Sequence, residues 1–199
     1  PVCGNPIRRI DTEAAFRCIN PACGGVVREK LIHFASRDAM DIEGLGPAVV
    51  DSLLAYRLVA DAAGFYALED DLRQIERMGE KSAANLITAI RASKERGLAK
   101  LLFGLGIRFL GEKGSELAAH YFHTIDAIMA ADVETIEETE GIGKITAKSL
   151  YDYFHDEKNI EMINKLKNAG VLMEEIKEES ESGMFSGESV VLTGKLAVM

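Results

Sequence analysis

A mainly α fold of tandem helix-hairpin-helix repeats is what this sequence predicts, with a small cysteine-bearing module ahead of the repeats and a short β segment after them. Three observations carry that expectation. Gly46, Gly79, Gly111 and Gly143 fall 33, 32 and 32 residues apart, each directly after a large apolar residue (Leu45, Met78, Leu110, Ile142). A fixed period of this kind marks a repeated supersecondary unit. The stretch after the first 32 residues is almost all helical in pattern, and no proline follows Pro47, as a helical body requires. All three cysteines lie in the first 23 residues.

The N-terminal segment, residues 1–32, reads as short irregular or β structure with turns at Cys3-Gly-Asn-Pro6 and Arg17-Cys-Ile-Asn-Pro-Ala-Cys-Gly-Gly25. Three cysteines confined to one end suggest a metal site rather than a disulfide framework. Pro1-Val2-Cys3-Gly4 has the look of a Cys-Pro-x-Cys-Gly knuckle whose first cysteine would stand just before Pro1, and Cys18-x4-Cys23 would supply the other pair. Structural zinc prefers four thiolates at ~2.3 Å in a closed tetrahedron. The candidate ligands are Cys3, Cys18 and Cys23, with water or His33 as a substitute for the fourth, and the metal would be structural.

Residues 33–173 form the expected helical domain. Helices are expected around Ala48–Leu58, Leu72–Glu76, Ser82–Ala92, Leu98–Leu105, Ser115–Phe122, Ile125–Ala131, Ala147–Phe154 and Ile160–Ala169, with Gly97 ending the third of these. The hairpins are Ile42–Gly46, Ile75–Gly79, Ile107–Gly111 and Glu140–Gly143. Glycine there is expected to permit a positive-φ turn and to remove the Cβ that would block a phosphate. The apolar residue before it plugs the space between two helices. Lys81, Lys113 and Lys144 follow three of the glycines; the first hairpin has Pro47 instead, a good first helical residue without an N–H. Such a hairpin can present backbone N–H groups and a helix N-terminus to a phosphate, so four hairpins in register, three of them with a lysine, point to nucleic acid.

Residues 174–199 are expected to be an acidic linker followed by one strand. From Gly170 to Ser189 there are six acids and one base, and Ser189-Val-Val-Leu-Thr-Gly194 is β-branched and apolar. That strand reads as the start of a third domain.

The chain has 199 residues, 47% of them hydrophobic, with no Trp and a net charge of −9. No apolar run approaches the ~18 residues of a membrane span, and a cytoplasmic protein is the expectation. The negative total argues against a polyanion partner at face value. It is unevenly spread, however: residues 1–40 carry six bases against four acids. A P-loop is excluded because Glu138 and Ile145 stand where it needs glycine and Ser or Thr. The glycines at 104 and 106 are not followed by one at Phe109, and no strand precedes them. The four histidines sit in no recognisable catalytic motif.

The residues then resemble a family. Cys18-Ile-Asn-Pro-Ala-Cys23, His33-Phe-Ala-Ser-Arg-Asp-Ala-Met-Asp-Ile-Glu-Gly-Leu-Gly46, Glu76-Arg-Met-Gly-Glu-Lys-Ser-Ala83, Leu101-Leu-Phe-Gly-Leu-Gly-Ile-Arg108 and Glu140-Gly-Ile-Gly143 are similar to the bacterial NAD⁺-dependent DNA ligases. The resemblance runs through the whole chain in order. It implies a four-cysteine zinc finger over 1–32, a four-motif helix-hairpin-helix domain over 33–173, and a linker to a BRCT domain opened by Phe185 and Val190–Leu196. It also implies duplex DNA, nicked and without sequence preference, as the partner of a monomer associated with the nucleoid in replication and repair. The expected DNA contacts are Gly44, Gly46, Gly79, Lys81, Arg108, Gly111, Lys113, Gly141, Gly143 and Lys144. No Lys-x-Asp-Gly adenylation motif occurs in the sequence. NAD⁺ and Mg²⁺ chemistry is therefore expected in another part of such a ligase, with no catalytic residue here. The alternative is a non-catalytic subunit that binds DNA structures in repair or recombination.

Overall fold

A computed structural model describes residues 2–9, 16–20, 22–68, 72 and 78–176. The expected helix at Leu72–Glu76 lies outside the described residues apart from Leu72, as do the strand at 189–194 and the acidic stretch from Lys177 onward.

The N-terminal module is a two-stranded antiparallel ribbon. Strand β1 (Ile7–Arg9) pairs with β2 (Phe16–Cys18) in the register Ile7↔Cys18, Arg8↔Arg17 and Arg9↔Phe16. Helix α1 (Gly24–Ala35) follows at once. It begins inside the stretch expected to be irregular to residue 32. Gly24 and Gly25 are poor helix formers, and burial of Leu31, Phe34 and Ala35 overrides their propensity.

The helical body comprises α2 (Pro47–Ala55), a 3₁₀ turn at Ala62–Ala67, α3 (Glu80–Ser93), α4 (Gly97–Gly104), α5 (Glu112–Phe122), α6 (Ile125–Ala130), α7 (Val133–Glu137), α8 (Lys144–Phe154) and α9 (Glu157–Asn168). Helix α4 packs on α5, α7 on α8, and α1 on both α2 and α4. One continuous apolar core joins them, with Phe34, Phe65, Phe154, Leu53, Leu101 and Ile128 among its fully buried side chains. Arg28 of α1 holds Asp51 of α2 through two hydrogen bonds of 2.5 and 3.0 Å, which pushes the Asp51 carboxyl down.

Gly97 does not end α3. That helix stops at Ser93, and Gly97, at φ +80°, turns the chain into α4. After α9 the chain runs back as a strap over 171–176. Leu172 donates to the Lys94 carbonyl, Ile125 to Met173, Leu98 to Glu174 and Glu175 to His123, at 2.8 to 3.0 Å. The chain thus stays attached through Ile176, three residues into the segment expected to be linker. Among the described residues no helix is long and apolar enough to cross a membrane.

Candidate nucleic-acid interface and thiolate cluster

The described hairpins are built alike. Leu45 donates to Ile42, Leu110 to Ile107 and Ile142 to Thr139, each closing a tight turn at 2.9 to 3.1 Å. The third residue of each turn has positive φ: Gly44 at +85°, Phe109 at +63° and Gly141 at +85°. The apolar plugs Leu45, Leu110 and Ile142 are at most 5% exposed.

The periodic glycines follow two residues later, and their role differs from the expected one. Gly46, Gly79, Gly111 and Gly143 have φ between −70° and −86° with ψ beyond 157°, the extended backbone of helix N-caps. Any residue adopts that conformation, so the turn does not require glycine there. A Cβ added at any of the four would meet nothing within 4 Å. The chain's own packing does not require glycine there either.

These glycines begin α2, α3, α5 and α8, and none of the four helices has a side-chain cap. Elsewhere Thr124, Asp132 and Asp156 cap α6, α7 and α9 by accepting from first-turn amides, while α1 and α4 also begin without a side-chain cap. A Ser, Thr, Asn or Asp cap adds about 0.5–2 kcal/mol over alanine, and glycine falls a few tenths short of the best caps. The hairpin helices forgo only those few tenths and leave their first-turn N–H groups open in front of an exposed, Cβ-free glycine. The dipole places roughly half a positive charge there.

Lys81, Lys113 and Lys144 lie in the first turns of α3, α5 and α8, exposed and with no ion pair among the described residues. Arg108, Phe109, Lys144, Ile145 and Lys148 line one cleft where the third and fourth hairpins meet. A second open groove lies between α2 and α3, where Gly44, Val49, Met78, Ser82 and Asn85 face one another with Glu43 as its charged group. The structure therefore places Gly44, Gly46, Gly79, Lys81, Arg108, Gly111, Lys113, Gly141, Gly143 and Lys144 on hairpin tips or first helical turns. Basic charge is concentrated at the third and fourth.

At the other end Cys3, Cys18 and Cys23 bring their sulfurs within 4.8 Å of one another. The Cys3 and Cys18 sulfurs are 3.5 Å apart. Thiolates sharing a tetrahedral zinc at ~2.3 Å stand a little under 4 Å apart, so the three fit three corners of such a site. Backbone and side-chain hydrogen bonds from Asn5 pull the Cys3 thiol down to about 6. The Cys18 thiol has its largest influence from the Asn20 backbone, which lowers it, yet burial and the two neighbouring sulfurs carry it upward. His33 is not a fourth ligand: its Nε2 lies 2.8 Å from the Phe103 carbonyl, and its ring packs edge-on to Phe103. One cluster has no local sequence pattern behind it: His120 of α5 and His123, just past its end, both place Nδ1 against Glu175, at 2.8 and 2.6 Å.

Fold and site together define a tandem helix-hairpin-helix protein with a cysteine-bearing module. Family profiles agree. The helix-hairpin-helix motif matches residues 100–163, and a SAM-like helix-hairpin-helix tandem matches 36–92. The NAD-dependent DNA ligase C4 zinc finger domain matches 1–24. The chain is similar over its whole length to one part of the bacterial DNA ligases. It is 45% identical over 99% of its length to a DNA ligase of Shouchella clausii, 42% over its whole length to one of Clostridioides difficile, and 43% over 98% to one of Bacillus subtilis. It spans about 30% of the length of each of these relatives.

Proposed function

We propose that this chain is the DNA-gripping portion of an NAD⁺-dependent DNA ligase that seals nicks in duplex DNA during replication and repair. The observation that carries the reading is the set of four uncapped helix N-termini. Each opens behind a glycine with clear space where a Cβ would stand, and three have in the first turn a lysine with no ion pair among the described residues. Phosphate oxygens would accept from the first-turn amides, and Lys81, Lys113 and Lys144 would supply charge that replaces counterions. Backbone contacts of this kind position a duplex without reading sequence, which suits an enzyme whose nick falls anywhere. Gly44 and Gly141 hold the turns, and Arg108 adds charge at the third hairpin.

The thiolate cluster supports a structural zinc held by Cys3, Cys18 and Cys23 with a fourth ligand. Zinc there fixes the ribbon against the start of α1 and supplies no open position for catalysis. The proposed division is the zinc module over 1–32, the gripping domain over 33–173, and a linker toward a BRCT domain over 174–199. Adenylation by NAD⁺ with Mg²⁺ belongs to another part of the ligase, because the sequence holds no Lys-x-Asp-Gly motif. The protein acts as a monomer in the cytoplasm, at the nucleoid.

Fluorescence anisotropy with a nicked duplex of random sequence tests this. The account expects binding that is equal across sequences, and no sealing when NAD⁺ and Mg²⁺ are added. Absence of any duplex binding, or sealing by this chain alone, contradicts it.

A further inference from the structure

The three described hairpins share one demanding backbone position, and they fill it unequally. Gly44 and Gly141 sit at φ +85°, whereas the third hairpin places Phe109 there at φ +63°. A bulky L-residue in that region is strained. Strain of this kind is ordinarily repaid by packing, yet the Phe109 side chain is 42% exposed. The ring is held in place nonetheless. The Arg108 guanidinium lies 4.5 Å from its centroid and covers it. Thr146 in the first turn of α8 donates to the Phe109 carbonyl at 3.4 Å, so the fourth hairpin supports the third.

The ring also stands in a particular company. Phe109 and Ile145, the latter 58% exposed, line the cleft that Arg108, Lys144 and Lys148 share with Asp152. Lys148 is paired with Asp152 at 2.7 Å. An apolar ring beside basic groups, at the tip of a loop and at a cost in strain, suits a ligand with anionic and flat apolar parts in alternation. The backbone of a nucleic acid duplex, phosphates flanking deoxyribose and base edges, has that pattern.

We infer that Phe109 is a wedge: its ring presses against deoxyribose and base edges in the groove while the neighbouring first turns hold the phosphates. This rests on the gripping function proposed above and adds to it a contact that charge cannot supply. The groove edge becomes part of what the third hairpin recognises, so its affinity responds to how easily a duplex opens there, as it does at a nick.

The test compares Phe109→Gly, Phe109→Asn and Phe109→Tyr with the parent chain on intact and nicked duplexes at several salt concentrations. Glycine and asparagine suit positive φ, so both variants are expected to melt at or above the parent temperature. Both are expected to bind the nicked duplex about tenfold more weakly at every salt concentration, the size of one lost aromatic contact. The salt slope stays that of the parent, and the preference for the nicked over the intact duplex shrinks. Tyrosine keeps the ring and restores affinity. Parent-like binding by the glycine and asparagine variants overturns the wedge and leaves the phosphate grip standing. So does a loss that comes with a shallower salt slope, because Phe109 then acts only by placing charges. A parent chain that binds no duplex overturns both readings.

Discussion

A Cβ on Gly141 would stand 2.7 Å from Cδ1 of Leu117. The turn of the fourth hairpin is thus seated on α5, the second helix of the third; its positive φ favours glycine, and a Cβ there would make the Leu117 side chain turn aside.

Two neighbouring glycines should therefore respond in opposite ways. Gly141→Ala puts an L-residue in the left-handed region and displaces the end of Leu117, and should cost about 1–2 kcal/mol of stability. Gly143→Ala has open space and an ordinary φ of −86°, so it should lose only the advantage of glycine over alanine as an N-cap, about 0.5 kcal/mol. Its affinity for duplex DNA should still fall roughly tenfold, about the worth of one hydrogen bond to a charged group. Thermal denaturation beside anisotropy separates the two. A Gly143→Ala protein destabilised as much as Gly141→Ala would show that its glycine serves the fold.

The thiolate cluster gives a prediction about zinc. Adding one cysteine directly before Pro1 should raise zinc affinity sharply, because a fourth thiolate closes the shell and metal binding is coupled to folding of so small a module. Chelator competition on both proteins measures it. Equal affinities would contradict the four-cysteine reading. Cys23→Ser should lower the affinity of either.

The strap should loosen in acid. Hydrogen bonds from His120 and then His123 hold the Glu175 carboxyl below its ordinary range. A depressed carboxylate stabilises the fold above its unfolded value and loses that contribution as pH falls through the folded value. Arg96, Lys100 and Glu116 face the same site from α4 and α5. Hydrogen exchange at the Glu175 amide should therefore accelerate below about pH 4, relative to the core amide of Leu101, and Glu175→Gln should weaken that dependence. A constant ratio from pH 7 to pH 3 contradicts the clasp.

Much of this arrangement is legible in the sequence, for physical reasons that differ by element. The second helices of the hairpins can be read because burial demands Leu86, Ala118 and Leu150 at helical spacing after each periodic glycine. What those glycines do is not readable. Sequence marks a residue without a Cβ but not the sign of φ, so the positive-φ position lies two residues before the one the glycine period suggests, and the strain at Phe109 leaves no mark in the sequence. Helix α1 hides because Gly24 and Gly25 open it, and only the tertiary burial of Phe34 shows why it forms. The clasp of His120 and His123 on Glu175 joins positions 55 and 52 residues apart, a juxtaposition that no local pattern encodes.

The central claim is that Lys81, Lys113 and Lys144, beside uncapped glycine-led first turns, hold phosphates. The salt dependence of duplex binding by the Lys81→Ala, Lys113→Ala, Lys144→Ala triple variant tests it most directly. Each phosphate contact contributes about 0.9 to the slope of log affinity against log salt. The triple variant should bind more weakly and show a slope shallower by roughly three contacts' worth. A variant that binds as tightly as the parent, with the parent's slope, would mean that these hairpins only turn helices.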